Sequence, residues 1–312
     1  MRIATFNLQN LRLRRRKGRL VLDGAVDQDF DDRPRSIEQD IADRTLTAKV
    51  IATAQADIIA LQEVFDSETL DFFCEHFLLK AGSLPYPARI CLPGNDGRGL
   101  DVAVLSNTRT VSVKSHAHLT GADFGLTDLP EDLRDNRLFR RDCLQLDFET
   151  FTLFVCHFKA PYPDIAKAQV VREAEARAVR KIVELRFSDP EGARWMILGD
   201  FNEPSSGRDA APSALAPFKR GFSEDLLDRM TRGTDWTFEV PDTHVRSRSD
   251  RIFLSPELAR EYPDVVPQIV RTGMTRFLAE PGFSASSDAM RNQSHASDHA
   301  LVYADFPGLQ SM

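Results

Sequence analysis

The chain has 312 residues, 42% hydrophobic and 28% charged, ordinary values for a soluble protein able to bury a substantial core. Its formal net charge of −7 argues against a surface that is one field for polyanions, while leaving room for a local basic groove or a bound cation. The four cysteines, Cys74, Cys91, Cys143 and Cys156, show no paired short spacing, which argues against a disulfide framework or a zinc site and suits buried thiols of a reducing compartment.

Residues 2 to 6 are apolar and strand-like, with no signal-peptide pattern before them, and they deliver Asn7 at their end. No apolar run approaches the ~20 residues of a membrane span, so the expected setting is the cytoplasm. From Arg12 to Arg35 a basic block (Arg12, Arg14, Arg15, Arg16, Lys17, Arg19) precedes an acidic one from Asp23 to Asp32. That pattern reads as an exposed hairpin or loop, either self-neutralising in solvent or a basic lid for a phosphate-bearing substrate. Ser36 is placed to cap a helix reaching about Ala54, with Ile37, Ile41, Ala48 and Ile51 on one face and Glu38, Asp40, Asp43 and Lys49 away from it. Ile58 to Leu61 is a buried strand that closes on Gln62-Glu63. A second helix spans 66–80 and stops at Gly82. Strands at 89–92 and 100–105 then flank a Gly94-to-Gly99 turn, which has hairpin chemistry and not that of a dinucleotide loop.

A strand near 110–115 leads into a polar loop at 116–136, where His116 and His118 have no further metal ligand nearby. Cys143 to Phe148 alternates and Phe151 to Cys156 is apolar throughout, an antiparallel hairpin that ends at His157. A long helix from about 164 to 187 buries Val171, Ala174, Ala178, Ile182 and Leu185. Trp195 to Leu198 forms a buried strand that stops at Gly199 and is followed by Asp200 and Asn202. An extended backbone would put those two side chains on one side, as one shared ligand or water needs, and the alternative is a solvated Asp-x-Asn turn. Pro204 and Ser205-Ser206-Gly207 open a loop. A short helix follows at 224–230, then strands at 236–240 and 249–254, the second carrying Asp250. A polar insertion at 272–296 precedes Ser297-Asp298-His299 and the last strand, 300–306. With no repeat and no linker, the chain reads as one α/β domain, 1–312, with mixed sheets and insertions near 12–35, 116–136 and 272–296.

Asn7, Glu63, His157, Asp200, Asn202, Asp250, Asp298 and His299 each sit at a strand end. Mg²⁺ prefers oxygen ligands and uses one or two carboxylates beside a substrate phosphate, a set that Glu63, Asp298 and the Asn7 amide could supply. Asp250 could fix the tautomer and charge of His299. Asp200 and Asn202 could orient a water in line with phosphorus, so metal-assisted hydrolysis of a phosphate ester follows.

Five segments, ATFNLQNL (4–11), DIIALQEV (57–64), VCHFKAP (155–161), ILGDFNEP (197–204) and ASDHALV (296–302), with SDRIFLS (249–255) as a weaker sixth, resemble the endonuclease/exonuclease/phosphatase superfamily. The resemblance implies a four-layer α-β-β-α sandwich, two mixed β-sheets packed face to face, with the site at one rim. It implies Glu63 as principal metal ligand with Asn7 and Asp298 close to the ion, and Asp200 positioning or deprotonating the attacking water. It further implies Asn202 on the phosphoryl oxygens, His299 oriented by Asp250, His157 donating to a phosphate oxygen, and Arg141 or its neighbour Arg140 near the phosphate. The implied cofactor is Mg²⁺, with Mn²⁺ as a substitute, and the implied partner a phosphate ester, nucleic acid among the candidates.

His157 where the repair branch has tyrosine, and the acidic balance, tell against a repair nuclease. GDFNEP departs from the GDLNYR-like form of inositol phosphatases, and the lack of a leader or hydrophobic anchor disfavours a secreted sphingomyelinase. The leading expectation is a Mg²⁺-dependent phosphodiesterase or nuclease. Its competitors are a phosphatase or diesterase of a small metabolite or lipid headgroup, and a catalytically idle binding module. Nothing in the sequence specifies an oligomeric state.

Overall fold

Apolar runs with β-branched and aromatic residues become strands here, and polar residues end them. The computed structural model describes residues 1–26, 36–204, 213–240, 244–274 and 294–309. The end of the acidic block with the residues after it (27–35), Ser205-Ser206-Gly207 and most of the 272–296 insertion lie outside the described residues. In chain order come β1 (Arg2–Leu11), the hairpin β2 (Leu13–Arg16) and β3 (Arg19–Leu22), α1 (Ile37–Ala54), β4 (Ile58–Val64), α2 (Ser67–Phe73), β5 (Ala88–Cys91) and β6 (Asp101–Ser106). Next are β7 (Ser112–Ser115), α3 (Glu131–Arg134), β8 (Cys143–Asp147), β9 (Thr152–His157), α4 (Ile165–Arg186), β10 (Trp195–Asp200) and β11 (Glu224–Asp225). A small ribbon of β12 (Phe238–Glu239) and β13 (Arg246–Ser247) precedes β14 (Asp250–Leu254), α5 (Pro256–Glu261), β15 (Gln268–Val270) and β16 (Leu301–Asp305).

Two six-stranded sheets result, in the orders β15-β16-β1-β4-β6-β5 and β11-β14-β10-β9-β8-β7. Both are mixed: β1 runs parallel to β4 and antiparallel to β16, and β10 runs parallel to β9 and antiparallel to β14. Period-two alternation sorts the side chains into layers. Ile3, Ile58 and Val104 of the first sheet meet Leu146, Val155, Met196 and Leu198 of the second in the central layer. The other face of the first sheet, with Phe6, Ile59 and Leu61, packs on Ile51 of α1 and Phe73 of α2. Trp195, Ile197 and Phe154 of the second sheet pack on Val171, Ala178 and Ile182 of α4. The expected α-β-β-α sandwich is therefore present, and no helix among the described residues is long and apolar enough to cross a membrane.

Several local expectations change. On α1, Asp40 and Asp43 are buried while Ile41 is 44% exposed, because the first half of that helix faces a polar loop. Asp40 accepts the N–H of Gly24, and Asp43 accepts those of Ala25 and His295. Leu185, in the last turn of α4, is 70% exposed. The helix expected at 66–80 holds regular form only to Phe73 and then widens into a π turn (Cys74–Leu78) and tightens into a 3₁₀ turn, ending at Gly82 with φ 80°. The helix expected at 224–230 is β11 followed by a 3₁₀ turn, since its backbone pairs with β14. The cysteines are free thiols, as expected.

Candidate active site

Register alone assembles half of the site. Asp200, last in β10, lies opposite His157 of β9 on one side and Asp250 of β14 on the other. One residue earlier Gly199 has φ 142°, and a Cβ there would stand 1.9 Å from the carbonyl oxygen of Cys156. Only glycine permits that strand contact. The other half comes from the first sheet. The β1–β4 pairing is regular to Asn7 opposite Gln62 and then shifts before Leu11. Gln9 and Asn10 adopt positive φ (48° and 57°), and so does Glu63 (63°), an uncommon conformation for side-chain-bearing residues that concentrates at functional sites.

The two halves meet at one atom, Asp200 Oδ2. Asn7 Nδ2 donates to it at 3.0 Å, His157 Nε2 lies 3.5 Å away and His299 Nε2 3.8 Å away. His299 Nδ1 is 2.8 Å from Asp250 Oδ2, and the N–H of Asp250 donates to Thr237 Oγ1 at 2.9 Å. Asn7 Nδ2 also lies 3.4 Å from Glu63 Oε1, while the N–H of Asn10 donates to Glu63 Oε2 at 2.8 Å. Asp298 Oδ1 is 4.0 Å from His299 Nε2.

Burial acts most strongly on His299, His157, Asp200 and Glu63, and neighbouring charge opposes it or adds to it. For His299 burial favours the neutral ring, but Asp250, Asp200 and Asp298 outweigh it and raise the pKa well above the ordinary value. For His157 burial dominates, Arg141, His299 and Arg98 add to it, and the pKa falls well below. The two imidazoles that flank the same carboxylate are thus driven in opposite directions. Burial raises Asp200, with His299 opposing, and burial followed by the charge of Asp298 raises Glu63.

Two donor sets could take a cation. Ligand atoms of Asp200, Asp250 and His299 lie within 4.8 Å of one another. In that set His299 Nδ1 is already engaged by Asp250, and all three residues are buried. Glu63 is half-buried and the Asp298 side chain 29% exposed, two like charges close enough to disfavour each other. An oxygen-rich, partly open pair of this kind fits a hydrated hard cation such as Mg²⁺ better than the histidine-containing trio.

Asn202 corrects the extended reading of the Asp200 segment. Its φ is 50°, its N–H donates to Asp200 Oδ1 at 2.8 Å, and its Nδ2 donates to the Phe158 carbonyl at 3.1 Å. The turn and the juxtaposition are the same structure. Arg141 is 3% exposed, donates from Nη1 to the Phe158 carbonyl at 3.1 Å and holds Nε 3.1 Å from Asp96 Oδ2, whereas Arg140 is half-buried. His116 is buried, with Nε2 3.1 Å from Gln145 Oε1.

Other contributors gave weak or no sequence signal. Ser297 Oγ donates to the Asn7 carbonyl at 2.7 Å, and Gln9 Oε1 accepts from the N–H of Asp298 at 3.1 Å, so the last motif is sewn to the first. The Phe238 ring lies 4.8 Å from that of His299. Buried Arg44 of α1 donates to the carbonyls of Leu8, Gln9, Asn10, Asp23 and Gly24, fixing the strained end of β1 from behind.

Residues 4–299 match the family model described as Endonuclease/Exonuclease/phosphatase family. Among solved structures, an endonuclease/exonuclease/phosphatase family protein from Leptotrichia buccalis C-1013-b superposes with TM-score 0.58 at 16% identity, covering 98% of this chain and 99% of that one. TDP2 of D. rerio, complexed with a single-strand DNA product, gives 0.54 at 17% identity with 97% of each chain covered. The 3'-5' exonuclease (NExo) from Neisseria meningitidis gives 0.53 at 17%, covering 98% and 99%. At such identities the likeness is one of fold. A search of curated proteins returns no match.

Proposed function

We propose, from the fact that the chain belongs to the Endonuclease/Exonuclease/phosphatase family, that it is a Mg²⁺-dependent phosphodiesterase or nuclease. The observation that carries this reading is the convergence on Asp200 Oδ2 of Asn7 from one sheet, His157 from the other, and His299 backed by Asp250.

In this reading Glu63, with Asn7 and Asp298, holds the cation. The chemistry that Mg²⁺, or Mn²⁺ in its place, would supply when held there is neutralisation of phosphoryl charge. Asp200 orients the attacking water and takes its proton as the new O–P bond forms. Asn202 and His157 bind phosphoryl oxygens, and Arg141 faces the same charge. His299, oriented by Asp250 and beside Asp200, donates to the negative charge that grows on the pentacovalent phosphorus, and the leaving oxygen, as the ester P–O bond breaks on the far side, takes its proton from water. Nucleic acid is the favoured substrate, a choice supported by the single-strand DNA product with which D. rerio TDP2 is complexed. The chain's net charge of −7 favours the second reading, a phosphoester of a small metabolite or lipid headgroup.

Glu63→Ala should lower metal-stimulated hydrolysis of bis-p-nitrophenyl phosphate by about 10²–10³-fold, the range seen when one essential electrostatic contact is removed. Mn²⁺ binding followed by electron paramagnetic resonance should weaken in parallel. Unchanged hydrolysis by the variant would sink the proposal.

A further inference from the structure

Basic side chains gather beside the Asp200 cluster, on the segments around residues 140 and 159. The buried carboxylate of Glu175 in α4 accepts the N–H of Arg140 at 2.9 Å through Oε1 and the N–H of Lys159 at 2.8 Å through Oε2. Arg172, also on α4, donates to the Lys159 carbonyl at 3.2 Å. Two amides bound to one carboxylate start from neighbouring backbone positions, so the side chains of Arg140 and Lys159 are rooted next to each other. Each is also adjacent in sequence to the reactive site, Arg140 to Arg141 and Lys159 to Phe158, whose carbonyl ties Arg141 and Asn202 together.

Arg141, Arg140 and Arg98 all act on the Lys159 ammonium against the opposing charge of Glu175, and Arg141 is paired with Asp96. The Lys159 ammonium donates to the carbonyls of Ala160 and Tyr162, which fixes its position without neutralising it. The half-buried Arg140 guanidinium has no hydrogen bond or ion pair among the described residues. A guanidinium with its donors unspent is suited to a phosphate, two of whose tetrahedral oxygens can accept parallel N–H bonds from the planar fork.

We propose that Arg140 and Lys159 form a second phosphate subsite, so that the substrate carries a further phosphate next to the scissile one, as a nucleic-acid strand does and a simple headgroup diester does not. This rests on the phosphodiesterase reading above and names its substrate class.

The test compares the dinucleotide TpT, its phosphorylated forms pTpT and TpTp, and the trinucleotide TpTpT, with wild type and an Arg140→Gln/Lys159→Gln double variant in Mg²⁺. Loss of charge-assisted hydrogen bonds to one phosphate predicts a kcat/KM preference of roughly 10-fold for TpTpT over TpT in wild type, falling to near unity in the double variant. Fluorescence anisotropy of a labelled oligothymidylate in EDTA reads the subsite without turnover. There the slope of log Kd against log salt should fall by about 0.7, the value for one single-strand phosphate that the variant no longer neutralises. Equal preference in the two proteins, or an unchanged salt slope, overturns the subsite. A gain for pTpT or TpTp with no oligothymidylate binding overturns the strand as substrate class. Failure of wild type to cleave any diester would strike the earlier reading alone, because the anisotropy arm still reports on Arg140 and Lys159.

Discussion

At the scale of single residues, Gly199 does more than end a strand. Any side chain at this position collides with the Cys156 carbonyl and parts β9 from β10 next to His157 and Asp200. Gly199→Ala should therefore cost about 3 kcal/mol or more in urea-induced unfolding, at the severe end of overpacking. A cost below about 1 kcal/mol would show that the strands can yield. The glycine is visible in the sequence only as a stop after Trp195-Met196-Ile197-Leu198. The residues around it are legible because Asn7, Glu63, His157 and Asp200 each close an apolar run, and a buried run that ends in a polar group announces a rim. The backbone of Asn202 is not legible: a single left-handed residue leaves no periodic trace, and Asx turns occur in every kind of loop.

At the scale of elements, α1 reverses the polar face its pattern suggests. Amphipathic patterning assumes that charges seek water, yet Asp40, Asp43 and Arg44 are all buried. Their partners include main-chain groups of residues 8–10, 23–25 and 295 and, for Asp40, the Arg16 guanidinium, all remote in sequence and invisible to a helical wheel. Arg44 is the centre of that arrangement. Burial lowers its pKa to about 10, and the surrounding aspartates Asp43, Asp23 and Asp40 partly offset the fall. Arg44→Met keeps much of the volume and strands the carbonyls of Leu8, Gln9, Asn10, Asp23 and Gly24. The expected loss is about 3–5 kcal/mol, as for other broken buried charge arrangements, measured by chemical denaturation. A near-neutral result would mean that water replaces the guanidinium. The element at 224–230 departs from expectation, and the strand expected at 236–240 shortens to β12, for a related reason: two-residue pairings are set by the partner strand, and propensity says little about them.

At the scale of the whole molecule, the strands buried on both faces are legible as continuous apolar runs, the α-β-β-α layering only through the family resemblance of the strand-end segments, and the strand order of the two sheets in neither. The pH dependence of folding is written less openly. Burial pushes His116 down to about 4, from an ordinary value near 6.5. Between those two values the unfolded chain binds the proton and the folded chain does not. Stability from this group is therefore complete above about pH 6.5 and is lost as pH falls toward 4. Asp101 and Asp142 run the other way: burial lifts each to about 6, so they weaken folding above that pH and cease to do so on acidification. Comparison of wild type with His116→Gln isolates the histidine, because the aspartates are common to both. The free energy of wild type should decline relative to the variant by about 2 kcal/mol between pH 7.5 and pH 5, read from urea melts. Parallel profiles would assign His116 a charged native form.

The bond from Asn7 Nδ2 to Asp200 Oδ2, 3.0 Å long, joins a residue of the first sheet to a residue of the second. It works as a caliper across the sandwich, closed only when the apolar layer behind it has its proper thickness. Alcohols that swell that layer, or hydrostatic pressure that drives water into it, would open the caliper at the rim before either sheet comes apart. Assembly of the site is thereby tied to the internal volume of the protein, and a change in catalytic rate becomes an early gauge of how tightly the two sheets are pressed together.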